Sequence, residues 1–187
     1  MPVTWSVALV SVVTTATLAV TPADAHGYLS SPTITAAVNS AFGGHEWNRG
    51  PEFSTATFTS AFPNTGYSSL RDMLDQQVAD CANTRIDVSP VDVAGLTVVT
   101  WENGNGITSH RGPCEVWVDD IVVNHQDDCV ATYGAGTQIK VPANFSKCLG
   151  DCTLRFYWLA LHEPKWQIYK QCVPIVNNSG ARALRTA

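Results

Sequence analysis

The pattern of hydrophobic and polar positions changes at about residue 95 of the chain. From there on, short runs either alternate between apolar and polar side chains or stay apolar for a few residues, and turn-forming residues separate them. This spacing is typical of the strands of an antiparallel β-sandwich. The predicted strands are residues 96–101, 114–118, 121–123, 138–141, 154–161 and 168–176.

Residues 26–81 have a different character, because they are rich in Ser, Thr, Asn, Gly and Pro and read as loops. Within them, residues 69–78 place apolar side chains at helical spacing. The members of this stripe are Leu70, Met73, Leu74 and Val78. We therefore expect an all-β domain with long loops and one short helix.

The first 25 residues have the pattern of a secretory signal peptide. Residues 5–20 are apolar or small and carry no charge, and the sequence Ala-Asp-Ala at 23–25 has the small-x-small form that signal peptidase cleaves. The apolar run is too short and too rich in Thr and Ser for a membrane span. A buried N-terminal strand is the alternative, and it leaves the Ala-x-Ala motif unexplained. We expect an extracellular protein whose mature chain begins at His26.

Composition indicates one domain, residues 26–176, followed by a flexible tail at 177–187. The 187 residues are 45% hydrophobic and 14% charged, which suits a single compact core. Cleavage removes one acid and no Lys or Arg, so the net charge changes from −5 to −4. This balance argues against a nucleic-acid partner. We expect a monomer with no membrane partner, glycosylated at the Asn-x-Ser sequences of Asn144 and Asn177.

Six cysteines in a secreted chain predict three disulfides, although six allow 15 connectivities and sequence alone does not choose among them. Local spacing suggests two of the pairs, a tight loop and a hairpin, and leaves a long-range third. The suggested pairs are Cys148–Cys152, Cys114–Cys129 and Cys81–Cys172. A zinc site at the Cys-x3-Cys sequence is the poorer alternative, because no second pair has ligand spacing.

A mature chain that starts with histidine carries an unusual candidate ligand. The free α-amine and the ring nitrogen of His26 can close one chelate around a metal ion. The amine has a pKa of about 8 and loses its proton readily to a competing divalent ion. One further imidazole completes a flat set of three nitrogens, which suits Cu(II) better than tetrahedral zinc.

Four other histidines are candidates for that further ligand. His110 lies in a turn-rich loop directly before a predicted strand, where a side chain can be both fixed and accessible. His162 ends the long apolar strand, whereas His45 and His125 lie among polar residues without a partner pattern. A single histidine is more often an ordinary surface residue, and only His26 escapes this expectation by its position.

Several motifs, taken together, resemble the lytic polysaccharide monooxygenases. They are His26-Gly-Tyr, Ser109-His110-x-Gly-Pro, and Leu161-His162 followed by Gln167-x-Tyr169-x-x-Cys172. They occur in the family's order over the length of the mature domain. The resemblance implies an immunoglobulin-like β-sandwich that holds one copper ion in a histidine brace. It also implies an external electron donor and dioxygen or hydrogen peroxide as co-substrate.

The resemblance assigns roles by position. His26, through its amine and ring, and His110 would be the brace, and Tyr169 would stand on the axial side. His162 and Gln167 would lie near the oxygen-binding face. By themselves, Tyr169 would be read as a buried tyrosine and Gln167 as a polar strand residue. The same resemblance supports the Cys81–Cys172 pair.

For the substrate, the sequences Cys114-Glu-Val-Trp and WLALHEPKWQ at 158–167 most resemble the small pectin-active branch, auxiliary activity family seventeen. That branch implies homogalacturonan of the plant cell wall, although cellulose- and chitin-active branches share the brace. A mature charge of −4 should repel polygalacturonate unless the binding face is locally basic. The candidate cations are Arg49, Arg111, Lys165 and Lys170, and scattered solubilising charge is their alternative interpretation.

The amino-acid sequence leaves two further questions open. Trp47, Trp166 and Tyr28 are either surface platforms for a polysaccharide or parts of the core. The protein is either a catalyst, a non-catalytic copper-binding protein with the same brace, or a carbohydrate-binding β-sandwich without copper. The presence of His162, Gln167 and Tyr169 favours catalysis.

Overall fold

The computed structural model describes residue 42 and residues 47–78, 80–82, 84–102 and 106–179. Within these ranges the chain forms seven strands. They are β1 (Val91–Asp92), β2 (Val98–Glu102), β3 (Cys114–Val118), β4 (Ile121–Gln126), β5 (Gln138–Pro142), β6 (Asp151–Ala160) and β7 (Gln167–Val176). Strands β2 to β7 confirm the six predicted segments, whereas β1 is too short to show a pattern.

The described strands form two sheets. The larger sheet has the order β1-β7-β6-β3-β4, and the smaller one pairs β2 with β5. Neighbours are antiparallel except for β1, which runs parallel to the end of β7. β6 and β7 pair along ten residues, with Ala160 opposite Gln167. The loop that joins them, which carries His162, therefore lies at one end of the sheet.

The two sheets pack against each other around an apolar core. Alternate side chains of β6, Leu154, Phe156 and Trp158, contribute to this core, and β5 contributes Ile139 and Val141. Alternation along a strand directs these side chains to one face of the sheet. The arrangement is consistent with the predicted β-sandwich.

The expectation of one short helix is wrong, because the described residues form three helices, and the first two cover the other face of the larger sheet. The helices are α1 (Pro51–Ala61), α2 (Leu70–Asp75) and α3 (Cys129–Tyr133), with 3₁₀ turns at Phe62–Asn64 and Phe145–Lys147. α2 confirms the predicted helix, and the four residues of its stripe are buried. α1 lies inside the segment expected to be loops. It and α2 pack on β6 through Phe58, Met73 and Leu159.

Three disulfides join the layers, and their pairing is as suggested from the sequence. Cys81–Cys172 ties the segment after α2 to β7. Cys114–Cys129 joins the start of β3 to α3, and Cys148–Cys152 closes the short loop before β6.

Residues 177–179, the start of the predicted tail, form a turn that is bonded to the domain. The Asn177 backbone N–H donates to the Gly150 carbonyl, and its side-chain Nδ2 donates to the Phe145 carbonyl. Asn144 is exposed. Residues 180–187 and the predicted signal segment lie outside the described residues. No described helix is both long and apolar enough to cross a membrane.

Candidate functional site

The candidate site lies at the end of the larger sheet where β6 finishes and β7 begins. The loop of residues 107–113 meets the β6–β7 loop there, and main-chain hydrogen bonds fix it. His110 N–H donates to the Ile107 carbonyl at 2.8 Å. The carbonyls of His110, Arg111, Gly112 and Pro113 accept from Trp158 Nε1, Leu161 N, Cys129 N and Leu159 N, respectively. His110 is therefore presented on a rigid loop.

The imidazole rings of His110 and His162 lie together, 4.3 Å apart between centroids and tilted by 36°. Burial lowers the pKa of His110, and the neighbouring His162 lowers it further, against the opposing influence of Glu163 and Gln167. Burial also lowers the pKa of His162, again opposed by Glu163. Both rings are thus biased toward the neutral form, which is the form that binds metal ions.

Gln167 connects His110 to Tyr169. The Tyr169 hydroxyl donates to Gln167 Oε1 at 2.8 Å, and the Gln167 side chain lies close enough to His110 to raise the pKa of that ring. The Tyr169 ring lies 6.1 Å from the His110 ring and 6.0 Å from the Trp101 ring. Because Gln167 and Tyr169 are two residues apart on β7, their side chains share one face. The structure thus brings together the four predicted site residues that it describes, with His162 as the fourth.

One nitrogen of His162 is not used within the described part of the chain. Nδ1 is buried and has no hydrogen-bond partner there, while Nε2 lies 3.7 Å from Glu163 Oε1. Buried polar atoms are normally paired. His162 therefore retains hydrogen-bonding capacity beside His110.

Arg111 was a candidate cation for a basic binding face, but it does not supply a free positive charge to this end of the sheet. Its Nε donates to Asp128 Oδ2 at 2.7 Å, and its Nη1 lies 3.3 Å from Glu52 Oε1. Asp128 caps the start of α3, and Glu52 lies in the first turn of α1. The guanidinium is neutralised, and it ties the His110 loop to both helices.

Lys170 is also wrong as a candidate for a basic binding face. Its side chain is buried, and Nζ lies 2.8 Å from Asp75 Oδ1 and 3.8 Å from Asp80 Oδ1. Adjacent residues of a strand point to opposite faces, so Lys170 faces the helices whereas Tyr169 faces the core between the sheets. Sequence proximity to the tyrosine motif was misleading for this reason.

The structure also decides the role of two aromatic candidates. Trp47 and Trp166 are buried, and their rings meet edge to face 4.6 Å apart under the helical layer. They are core residues and not surface platforms. Arg49 and Lys165, by contrast, are exposed.

The other predicted ligand, His26, lies outside the described residues, as do Tyr28 and His45. Within the described part, one group of three potential ligands has its donor atoms close together: Asp80, Cys81 and Cys172. The two sulfurs of that group form a disulfide, so it offers no thiolate to a metal. The complete three-nitrogen set stays a prediction.

His125 has partners that sequence reasoning missed. It lies in β4, with Nδ1 3.0 Å from Glu115 Oε1 and Nε2 3.2 Å from Asp127 Oδ1. Glu115 is buried on the face of β3 that the helices cover. The sequence did contain a signal for this pair. Glu115 lies in one predicted strand, His125 lies just after the next one, and the turn at Asp119 joins the two strands. This pair faces α2 and not the His110–His162 pair.

Comparisons with known proteins assign no family to the chain. No protein-family model matches it. No curated protein gives a significant match either.

Proposed function

We propose that this protein is a secreted, copper-dependent lytic polysaccharide monooxygenase, built on an immunoglobulin-like sandwich, whose substrate is pectin homogalacturonan. One observation carries the proposal. The His110 ring, on a rigid loop, lies 4.3 Å from the His162 ring and 6.1 Å from the Tyr169 ring, and Tyr169 is hydrogen-bonded to Gln167. Three disulfides agree with folding in an oxidising compartment.

Among the described residues, His110 is the one proposed nitrogen ligand, and its chemistry suits copper. Neutral imidazole is a ligand that Cu(II) binds well, and the lowered pKa of His110 keeps its ring in that form. The His26 amine and ring would complete the ligand set after cleavage behind Ala25, and Tyr169 would stand beside it. Bound copper would supply one-electron chemistry on dioxygen or hydrogen peroxide, with electrons from an external donor.

The neighbouring side chains act through hydrogen bonds. The Tyr169 hydroxyl donates to Gln167 Oε1, which orients the phenol ring beside His110. His162 has a buried nitrogen without a described partner, so its ring can hold and orient a small polar molecule next to His110. Loss of such supporting contacts around a metal site typically costs tenfold or more in activity.

The test uses the secreted protein, with its N-terminus read by mass spectrometry. Incubated with copper and ascorbate on homogalacturonan, cellulose and chitin side by side, it should release oxidised oligogalacturonides. His110→Ala should abolish both Cu(II) binding and product. His125→Gln, which changes a half-exposed histidine on β4 outside the candidate site, is the matched control and should retain both.

Each other outcome has a definite meaning. Oxidised products from cellulose or chitin alone would refute homogalacturonan as the substrate but would support the monooxygenase reaction. Tight Cu(II) binding without ascorbate-dependent turnover would identify a non-catalytic copper-binding protein. Failure of a protein that begins at His26 to bind Cu(II) would refute the proposal and leave a carbohydrate-binding sandwich.

A further inference from the structure

Of the four candidate cations near the site, two form no ion pair within the described part of the chain. Arg111 is neutralised by Asp128 and Glu52, and the Lys170 ammonium is buried against Asp75. Arg49 and Lys165 are exposed, and neither forms an ion pair within the described part of the chain. These two side chains are therefore available to an anionic ligand.

Both cations belong to the rim of the site. The contact between the Trp47 and Trp166 rings, 4.6 Å between centroids, brings the segment before α1 against the β6–β7 loop. Lys165 immediately precedes Trp166 in that loop. On its other side, α1 reaches the His110 loop through Glu52 and Arg111, 3.3 Å apart. Arg49 lies in the chain between Trp47 and Glu52, and therefore between the two residues that make these contacts.

Arg49 is held in a form suited to a carboxylate. Its guanidinium carbon lies 3.9 Å from the centre of the half-exposed Phe53 ring. Stacking on an aromatic ring restrains the planar fork while its N–H groups stay accessible. A guanidinium so restrained can bind a carboxylate through two parallel hydrogen bonds.

We propose that Arg49 and Lys165 are the specificity-determining residues that bind the carboxylates of a polymer of uronic acids. Such a polymer carries one carboxylate per sugar, so it presents repeated anionic groups along this rim. Glu163 lies on the same rim and opposes binding. The reaction performed on the polymer rests on the proposed function, whereas binding does not require copper.

The test is affinity electrophoresis of the copper-free full chain in gels containing polygalacturonate, with fully methyl-esterified pectin as the neutral comparison. Arg49→Gln and Lys165→Gln should each weaken binding to polygalacturonate about two- to fivefold, as expected for an exposed charge pair. Binding to the esterified polymer should not change. Arg49→Lys keeps the charge but loses the planar fork, so it should fall between Arg49→Gln and the wild type.

Two control variants test the direction of the charge effect and its location on the protein. Glu163→Gln should tighten binding, whereas Lys147→Gln, at the opposite end of the sandwich, should have no effect. Salt should weaken wild-type binding more steeply than that of the Arg49→Gln, Lys165→Gln double variant. Wild-type retardation equal to that of the folded double variant would overturn the inference. Binding that follows these expectations without any oxidised product would sustain the inference while the proposed function fails.

Discussion

At the scale of single residues, Gly112 determines how closely the His110 loop approaches β6. Its φ is +147°, and a Cβ at this position would collide with the Leu159 carbonyl oxygen. The atom that the Cβ would meet belongs to the backbone of β6, so a change of side-chain rotamer cannot relieve the collision. We expect Gly112→Ala to destabilise the fold by about 2–4 kcal/mol, from strain and from displacement of the loop.

Urea unfolding measures this loss. Gly136→Ala is the matched control, because that glycine has no strained φ and a Cβ there would meet its nearest neighbour at 3.5 Å. The control should change the free energy of unfolding by less than about 1 kcal/mol. Equal losses in free energy of unfolding from the two substitutions would show that Gly112 is not required for the close approach of the loop to β6.

At the scale of elements, one buried carboxylate helps to dock α2 on the sheet, in addition to the contacts of Asp75 with Tyr157 and Lys170. Glu115 of β3 accepts from the backbone N–H groups of Leu70 and Arg71, from Trp117 Nε1 and from His125. Burial alone would raise the pKa of Glu115, but the hydrogen bonds from His125 and the other donors outweigh it and lower the pKa. The bond to Glu115 raises the pKa of His125, against the effect of burial.

The pair predicts how stability depends on pH. The contribution of Glu115 is present above its unfolded pKa of about 4.5 and is lost as pH falls through its lowered folded pKa. The contribution of His125 is complete below its unfolded pKa of about 6.5 and is lost as pH rises through its raised folded pKa. The pair therefore stabilises most between these two values.

His125→Gln tests the pH dependence. The wild type should exceed this variant in free energy of unfolding by about 0.5–1 kcal/mol more at pH 5.5 than at pH 9, a modest figure because the imidazole is half exposed. Urea titrations at the two pH values give the comparison. A difference that does not vary with pH would contradict the ionised pair.

The elements also show what sequence patterns could and could not predict. Strands β3, β5, β6 and β7 were predictable because each has a buried face or a buried run of several residues. Strands β2 and β4 bury one residue or none, and their runs of β-branched residues made them predictable. α1 was not, because only Ser54, Thr55 and Phe58 of its eleven residues are buried and two of these are polar. Pro51, at its first position, was the available signal, since proline favours the start of a helix.

At the scale of the whole molecule, the site lies on a rim where the helical layer meets the end of the sandwich. The sequence could nominate His110, His162, Gln167 and Tyr169 because their spacing along two strand ends carries the resemblance. It could not foresee that Arg111 is neutralised by Asp128, because Glu52 and Asp128 approach it from different elements. Pairing of charges across layers is a property of the fold and leaves no local pattern.

The layers are joined by disulfides of very different span, and this difference can be measured. Cys81–Cys172 spans 91 positions of sequence, whereas Cys148–Cys152 spans four. If a disulfide stabilises mainly by restricting the unfolded chain, removing the first should cost about 4–5 kcal/mol and the second about 2 kcal/mol.

Paired Cys→Ala variants, compared by urea unfolding, test this expectation. Loss of Cys81–Cys172 also removes the covalent link between β7 and the segment after α2. That segment packs in the same hydrophobic cluster as Trp47, which lies two residues before Arg49. The Cys81→Ala, Cys172→Ala variant should therefore weaken retention by polygalacturonate under conditions where it is still folded, whereas the Cys148→Ala, Cys152→Ala variant should not. Equal losses of stability in the two variants would mean that chain entropy does not govern these bonds. Unchanged retention in the first would mean that the rim keeps its shape without the long-range bond.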